Sequence, residues 1–398
     1  VKEGWIEKTL GDACNIARGG SPRPIQAFLT DAADGVNWVK ISDATASGKF
    51  IYVTKEKIKP SGVSRSRVVN PGDFLLSNSM SFGRPYIMQT TGCIHDGWLV
   101  LSDYEKDFNQ GFLYHLLGSP VVFEQFDRLA AGSTVRNLNI ELASRVSIPI
   151  PPLPEQQRIV ALLDEAFDGI ATAKANAEKN LQNARAIFES HLQSVFINGG
   201  ANWSDTVIGK CIRFIDYRGK TPEKTSNGLK LITAKNVRMG YLKNTPEEFV
   251  APESYDSWMT RGIPKCGDVL FTTEAPLANV AQLMTDEKVV FAQRIIVMQA
   301  DAAKLDSTFL KYMLLSSPIQ QRIHEKGTGA TVQGIKASLL KLIEISFPDS
   351  IAEQRQIVAK LDALNAETQR LESIYQQKLT ALDELKKSLL HQAFSGAL

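Results

Sequence analysis

The longest regular alternation of apolar and polar positions in the chain is helical, and it occurs twice. Ile159, Leu163, Ala166, Ile170, Ala173, Ala177, Leu181, Ala184, Phe188, Leu192 and Val195 recur at steps of three and four, the spacing that lines one face of an α-helix. Ile357, Leu361, Leu364, Thr368, Leu371, Tyr375, Leu379, Leu382, Leu385, Leu389 and Ala393 repeat the pattern. Pro154 suits a first helical turn, and Ser350 with Glu353 fits a capping box. Stops follow at Asn198-Gly199-Gly200 and Ser395-Gly396, where glycine can take the left-handed C-cap conformation. Each helix is thus predicted to run about 40 residues, about 60 Å at 1.5 Å per residue. An apolar stripe of that length needs a second stripe to cover it.

Before each helix the pattern is shorter and mixed. Pro71-Gly72-Asp73 turns into the strand-like Phe74-Leu75-Leu76, and Cys266-Gly267-Asp268 into Val269-Leu270-Phe271. Residues 108–117 and 121–129 read as helices split at Ser119-Pro120, a Ser N-cap with Pro at the first helical position; Ser317-Pro318 repeats the device. These parts are predicted to be mixed α/β globules.

The echo runs along the whole chain. "PEQQRIVALLD" at 154–164 returns as "AEQRQIVAKLD" at 352–362, "RGGSP" as "RGKTP", "FLYHLLGSP" as "FLKYMLLSSP" and "AGSTVRNL" as "GTGATVQGI", in one order and at offsets of 195 to 200 residues. Two copies of one unit follow, each large enough for its own core. The predicted segments are a globule at 1–150, a helix at 151–198, a globule at 199–350 and a helix at 351–398. Domain termini commonly lie near one another, so the second helix is expected to run back along the first. The expected fold is α+β: two mixed α/β globules separated by two long helices in an antiparallel coiled coil, a dumbbell with approximate two-fold symmetry.

Composition narrows the function. Of 398 residues, 43% are apolar and 22% charged, the balance of a soluble globular protein, and no run approaches the roughly 18 apolar residues of a membrane span. "VKEGWIEKTLGDA" has no apolar signal core, so a cytoplasmic location is expected; Val1 in place of an initiator Met points to a trimmed or expressed form. Cys14, Cys93, Cys211 and Cys266 form no C-x-x-C pair, which argues against zinc and for reduced thiols. Net charge is only +2, with 20 basic and 21 acidic residues in 1–198 and 25 and 22 in 199–398. Binding by counterion release alone would call for a more basic chain.

Catalytic patterns fail one by one. Gly219-Lys220-Thr221 has Phe214 where a P-loop needs its first glycine, and Pro222 interrupts the helix. Asp349 with Glu384 and Lys386 would make a nuclease set only if a leucine-patterned helix were ignored. Asn70-Pro71-Gly72 lacks the second proline and the aromatic of an adenine methyltransferase turn. His95, His115, His191, His324 and His391 are scattered. No catalytic, metal or cofactor set remains, so a binding and assembly protein is expected.

Two globules of about 150 residues alternating with two similar long helices, the first opening "IPIPPLPEQQRIV" and the second ending "SLLHQAFSGAL", resemble the specificity subunit of a type I restriction-modification system, over the whole chain. "GSTVRNL" is a weaker piece, and "SFPDSIAEQRQIV" lacks the proline cluster of the first copy. The resemblance implies a non-catalytic subunit on double-stranded DNA. Each globule would read half of a bipartite asymmetric target, the helices would set the spacer, and successive major grooves recur about every 34 Å. It implies partners too: two copies of a methyltransferase subunit, which bring S-adenosylmethionine and flip an adenine for N6 methylation, and motor-endonuclease subunits that cleave with ATP.

Base edges are read by polar and cationic side chains on accessible segments. In the first globule the candidates are Arg18, Ser21 and Arg23 in the glycine-proline loop, then Ser77, Asn78, Ser79, Ser81 and Arg84 in a run too polar for core. Lys57 and Arg65 belong to a basic stretch with Lys55, Lys59 and Arg67 that could follow phosphates. In the second globule they are Arg218, Lys220 and Thr221, then Lys235, Asn236 and Arg238, then Thr272, Thr273, Glu274 and Asn279, with Arg294 beside Gln293. "SNSMSFGR" differs from "TTEAPLAN", so different half-sites are expected. The competing expectation is a scaffold without DNA: two interaction modules on a coiled-coil rod.

Overall fold

The computed structural model describes residues 2–78, 83–130, 138–217, 221–329 and 333–398. The chain divides into two compact units, Val1–Glu178 with Gln377–Leu398, and Lys179–Gln376.

In the first unit a sheet runs in the order Asn15–Arg18, Trp98–Ser102, Phe74–Ser77, Pro85–Met88 and Phe50–Ile51; the last pair is parallel and the others antiparallel. A second sheet runs Glu56–Ile58, Val36–Val39, Gly92–Ile94 and Arg67–Val69, with its middle pair parallel. Ile6–Thr9 pairs with Ser147–Ile150. The period of two along a strand explains why Phe74-Leu75-Leu76 is apolar throughout. Phe74 and Leu76 join the core that holds Phe112 and Leu116, while Leu75 joins a second core with Trp98 and Val100.

The second unit repeats the plan. Its larger sheet runs Ile212–Asp216, Ile295–Ala300, Val269–Thr272 and Val280–Gln282, all antiparallel. The smaller runs Phe249–Val250, Leu229–Ile232 and Val289–Phe291, the last pair parallel. Trp203–Val207 pairs with Glu344–Pro348. The two Gly-Asp turns are the same device: Gly72 and Gly267 have φ of 99° and 91°, conformations that favour glycine. Asn70 N–H and Lys265 N–H each donate to the following aspartate, Asp73 or Asp268, at 2.8 Å.

The two long helices span Leu153–Asn198 and Ile351–Ser395, 46 and 45 residues, and end at Gly199 and Gly396 with φ of 54° and 81°. They run antiparallel in each unit. In the first, Arg158 reaches the carbonyl of Leu398, Lys386 lies over the ring of Phe167, and Lys174 pairs with Asp383 at 2.7 Å. In the second, Arg185 pairs with Glu372 at 3.0 Å, and Leu192 packs in one cluster with Leu361.

Two predicted details are corrected. Leu385 is 46% exposed; the neighbouring Lys386, also exposed, sets its Nζ over Phe167, 4.8 Å from the ring centroid. The helix Ser317–Lys326 is capped by Ser316, not Ser317. Ser316 Oγ donates back to the Met313 carbonyl, and Ser317 N–H and Oγ–H donate to Gln193 Oε1 on the long helix. No helix among the described residues is long and apolar enough to cross a membrane.

Candidate nucleic-acid interface

In the first unit the candidates gather on a three-residue connector, 95–97, between the strands Gly92–Ile94 and Trp98–Ser102. Arg18 ends a strand, and its Nε–H donates to the Asp96 carbonyl at 3.0 Å. Asn78 Nδ2–H donates to the same carbonyl at 2.8 Å, and Ser21 Oγ–H to Asp96 Oδ1 at 2.8 Å. Arg23 Nη2 lies 3.4 Å from Asp96 Oδ2, with its side chain 80% exposed. The backbone joins in: Gly19 N–H donates to the Trp98 carbonyl and Gly20 N–H to that of Ile94. A Cβ at position 19 would stand 2.0 Å from the His95 carbonyl oxygen, so glycine alone permits this approach. Hydrogen bonding from Ser21 is the main cause holding the Asp96 carboxyl below its ordinary range. Beside the connector opens a cleft of about 590 Å³, lined among others by Ser21, Arg23, Trp38, Glu56, His95 and Asp96.

The basic stretch is partly structural. Lys59 Nζ donates to the Ala27 carbonyl at 2.8 Å, and Arg67 Nε to that of Arg18 at 3.1 Å. Arg65 is exposed with its guanidinium 5.6 Å from the Phe28 ring centroid, and Lys57 is half-buried. Arg84 is exposed on the rim of a separate cavity of about 750 Å³.

In the second unit the matching connector is 292–294. Arg294 is exposed and pairs through Nε with Glu274 Oε1 at 3.0 Å, while its carbonyl accepts from Thr273 N–H at 3.0 Å. Asn236 frames a loop: Oδ1 accepts from Thr233 N–H and Oγ–H at 2.9 Å, and Nδ2 donates to the Lys243 and Pro246 carbonyls at 3.0 Å. The loop so closed presents Lys235 exposed and Arg238 half-buried, next to exposed Met239 and Tyr241. Thr221 is exposed.

Several expectations of accessibility are corrected. Ser77, Asn78, Asn236, Thr272 and Thr273 are all 2% exposed or less. Thr272 Oγ–H donates to the Pro276 carbonyl, and half-buried Asn279 donates from Nδ2 to that of Val237. These short side chains satisfy the backbone of irregular loops, which a buried loop cannot leave unpaired. They shape the surface and do not form it. Ser79, Ser81, Arg218 and Lys220 lie outside the described residues.

Asp96 was missed, and so was the buried Asp43, which accepts from Lys40 N–H three residues before it as Asn236 does from Thr233. Setting Val36–Val39 on Leu229–Ile232 places Asp43 opposite Asn236, whereas Asp96 falls opposite Gln293 and has no such signal. Cys14, Cys93 and Cys211 are buried free thiols, burial pushing the first up to about 12. Among the described residues no group of three or more His, Cys, Asp or Glu stands where it could hold a metal.

The model of the type I restriction modification DNA specificity domain matches residues 2–182 and 219–381, most of the chain and once in each copy. The chain belongs to this specificity family. Among its relatives is the type I restriction enzyme MjaVIII specificity subunit of Methanocaldococcus jannaschii, 21% identical, with 100% of this chain and 94% of that protein covered. Another is the EcoKI specificity subunit of Escherichia coli K12, 21% identical over 100% of this chain and 90% of that one. A solved chain from a study of complex assembly and conformational transition in a type I R-M system superposes with a TM-score of 0.80 at 21% identity, covering 100% of this chain and 99% of that one. The HsdS subunit from Thermoanaerobacter tengcongensis gives 0.66 at 21% identity, covering 100% and 98%. At this identity the structures speak for the fold.

In this member of the specificity family a buried glutamine ties each globule to its long helix, beside the apolar contacts of Ile159 and Leu163 in the first copy and Ile357 in the second. Gln156 Oε1 accepts from Asn109 N–H, and Nε2 donates to the carbonyls of Asp107 and Pro151, at 2.8 to 2.9 Å. Gln354 does the same with Asp306 N–H and the carbonyls of Lys304 and Pro348, at 2.8 to 2.9 Å.

Proposed function

We propose that this chain is the sequence-reading subunit of a type I restriction-modification complex, in which each globule reads one half of a bipartite asymmetric DNA target. The readers would occupy 1–150 and 199–350, and the helices at 151–198 and 351–398 would set the spacer and seat the partner subunits. The observation that carries the reading is the specificity-domain match in both copies, joined to a duplicated pair of sheets whose connecting loops differ in charge.

The residues left on the surface support a division of labour. Arg18, Arg23, Arg238 and Arg294 have the planar fork that meets O6 and N7 of guanine, and Glu274 can accept from the amino group of cytosine. Ser21 and Thr221 suit either kind of edge; Lys57, Arg65, Arg84 and Lys235 suit phosphates. Ser77, Asn78, Asn236, Thr272, Thr273 and Asn279 act through the loops they hold. This chain catalyses nothing itself. Two methyltransferase subunits would supply adenine N6 methylation and motor-endonuclease subunits the cleavage, in the cytoplasm where cellular DNA is met.

The test is to express the chain with its cognate methyltransferase subunit and map the methylated adenines. A single two-part motif with unequal halves and a fixed gap is expected. Methylation with no such motif, or retention of labelled DNA that is independent of sequence at every salt concentration, would overturn the reading.

A further inference from the structure

The two connectors occupy the same place in the two copies, yet carry opposite charge. One offers Asp96 to the cations around it, and the other offers Arg294 to Glu274. An aspartate amid candidate DNA contacts works against phosphate attraction, so its place there needs a reason. The geometry supplies one. The backbone carbonyl of Asp96 takes Arg18 and Asn78, and its carboxylate takes Ser21 and Arg23. We propose that Asp96 is the positioning residue of the first reader, holding Ser21 and Arg23 in the conformation that meets base edges; this rests on the reading above, that the 18–23 loop contacts bases.

The energetics favour a role in discrimination over one in stability. The Arg23–Asp96 pair is long, at 3.4 Å, and its side chains are 80% and 46% exposed; pairs of this kind contribute little to folding. An exposed arginine otherwise spreads over many rotamers, and a base edge rewards only the few whose fork is aligned. One carboxylate oxygen on the guanidinium narrows that spread and leaves other donors of the fork free. Gly19 gives a second handle on the same geometry. A methyl there meets the His95 carbonyl oxygen at 2.0 Å, so the loop must lift off the connector while Asp96 itself stays.

The experiment uses the full chain with its methyltransferase subunit and measures kcat/KM for methyl transfer. The substrates are duplexes carrying one changed base pair in either half-site. Asp96→Asn and Gly19→Ala are each expected to lower discrimination about tenfold in one half-site and leave the other unchanged. Asp96→Ala is expected to lose more than Asp96→Asn, which keeps an acceptor for Ser21, and Asp96→Glu to recover part of it. Melting temperatures of the Asp96 variants should match the parent. Equal losses in both half-sites, or losses that track melting temperature, would assign Asp96 a structural role and overturn the proposal. An Arg18→Ala/Arg23→Ala double variant separates the two levels. If it loses discrimination while Asp96→Asn and Asp96→Ala keep it, Asp96 is not the positioning residue and the reading stands. If it too keeps discrimination, the 18–23 loop does not read bases, and both fall together.

Discussion

Gln156 and Gln354 are both fully buried, and each satisfies one backbone N–H and two carbonyls. Truncating Gln156 to Ala would strip those partners from Asn109, Asp107 and Pro151 at once. Each buried group left unsatisfied costs about 1–3 kcal/mol, so Gln156→Ala is expected to destabilise the first unit by about 2–4 kcal/mol in urea unfolding, and Gln354→Ala the second by a similar amount. Gln156→Glu should be at least as damaging, because a carboxylate cannot donate to two carbonyls and is costly to bury. A loss under about 0.5 kcal/mol would mean the junction is held elsewhere. The duplicated Glu-Gln is visible in the sequence and reads there as a helix cap and partner contact, with Glu155 and Glu353; the glutamines instead turn inward to the globule backbone. The signal was there: Gln156 lies three residues before Ile159 and Gln354 three before Ile357, one step further along each apolar stripe. A polar residue in line with a buried stripe is a buried polar residue, and must find partners.

Along the helices, the stripe read from spacing alone is buried or half-buried at every position except Leu385. Leu361 is wholly buried with Leu192 and Tyr312, so Leu361→Ala should cost about 2–5 kcal/mol. Leu385→Lys should stay within about 0.5 kcal/mol; a large loss there would contradict the phase seen here. Helix and turn devices could be read because they are local. Which polar residues face outward could not, because that depends on loops closing over sheets, and five short polar side chains expected at the surface turned inward. A similar tertiary choice distinguishes the copies where a short helix meets the long one. His115 Nε2 bonds Asp164 at 2.8 Å, whereas Tyr312 donates to Asp362 at the matching place. Burial, opposed by Asp164 and aided by Lys49 and Lys386, lowers the His115 pKa from its ordinary 6.5. The unfolded chain then binds the proton more readily, so stability rises with pH through that range and falls on acidification. His115→Tyr copies the second repeat and keeps a donor for Asp164. Between about pH 5.5 and 7.5 it should lose less stability on acidification than the parent, and identical pH profiles by thermal unfolding would refute the assignment.

At the scale of the molecule, duplication is what the sequence revealed most fully, because every paired motif keeps its order; the same order reappears as matching sheet sequences with a parallel pair in each smaller sheet. Charge is the other property that belongs to the whole chain. A net charge of +2 over 398 residues leaves little to attract DNA without regard to sequence, and part of the basic stretch at 55–67 is engaged by backbone carbonyls. Each phosphate neutralised contributes about −0.9 to the slope of log K against log salt. The chain alone should therefore bind its target weakly, with a shallow slope that reflects only a few exposed cations such as Arg65 and Lys235. With the methyltransferase subunit bound, the slope should steepen by several units while the ratio between correct and altered half-sites stays the same. Discrimination would then reside in this chain and bulk affinity in its partner. Equal slopes with and without the partner, measured by fluorescence anisotropy over a salt series, would show that this near-neutral chain makes the phosphate contacts by itself, and the division of labour would have to be abandoned.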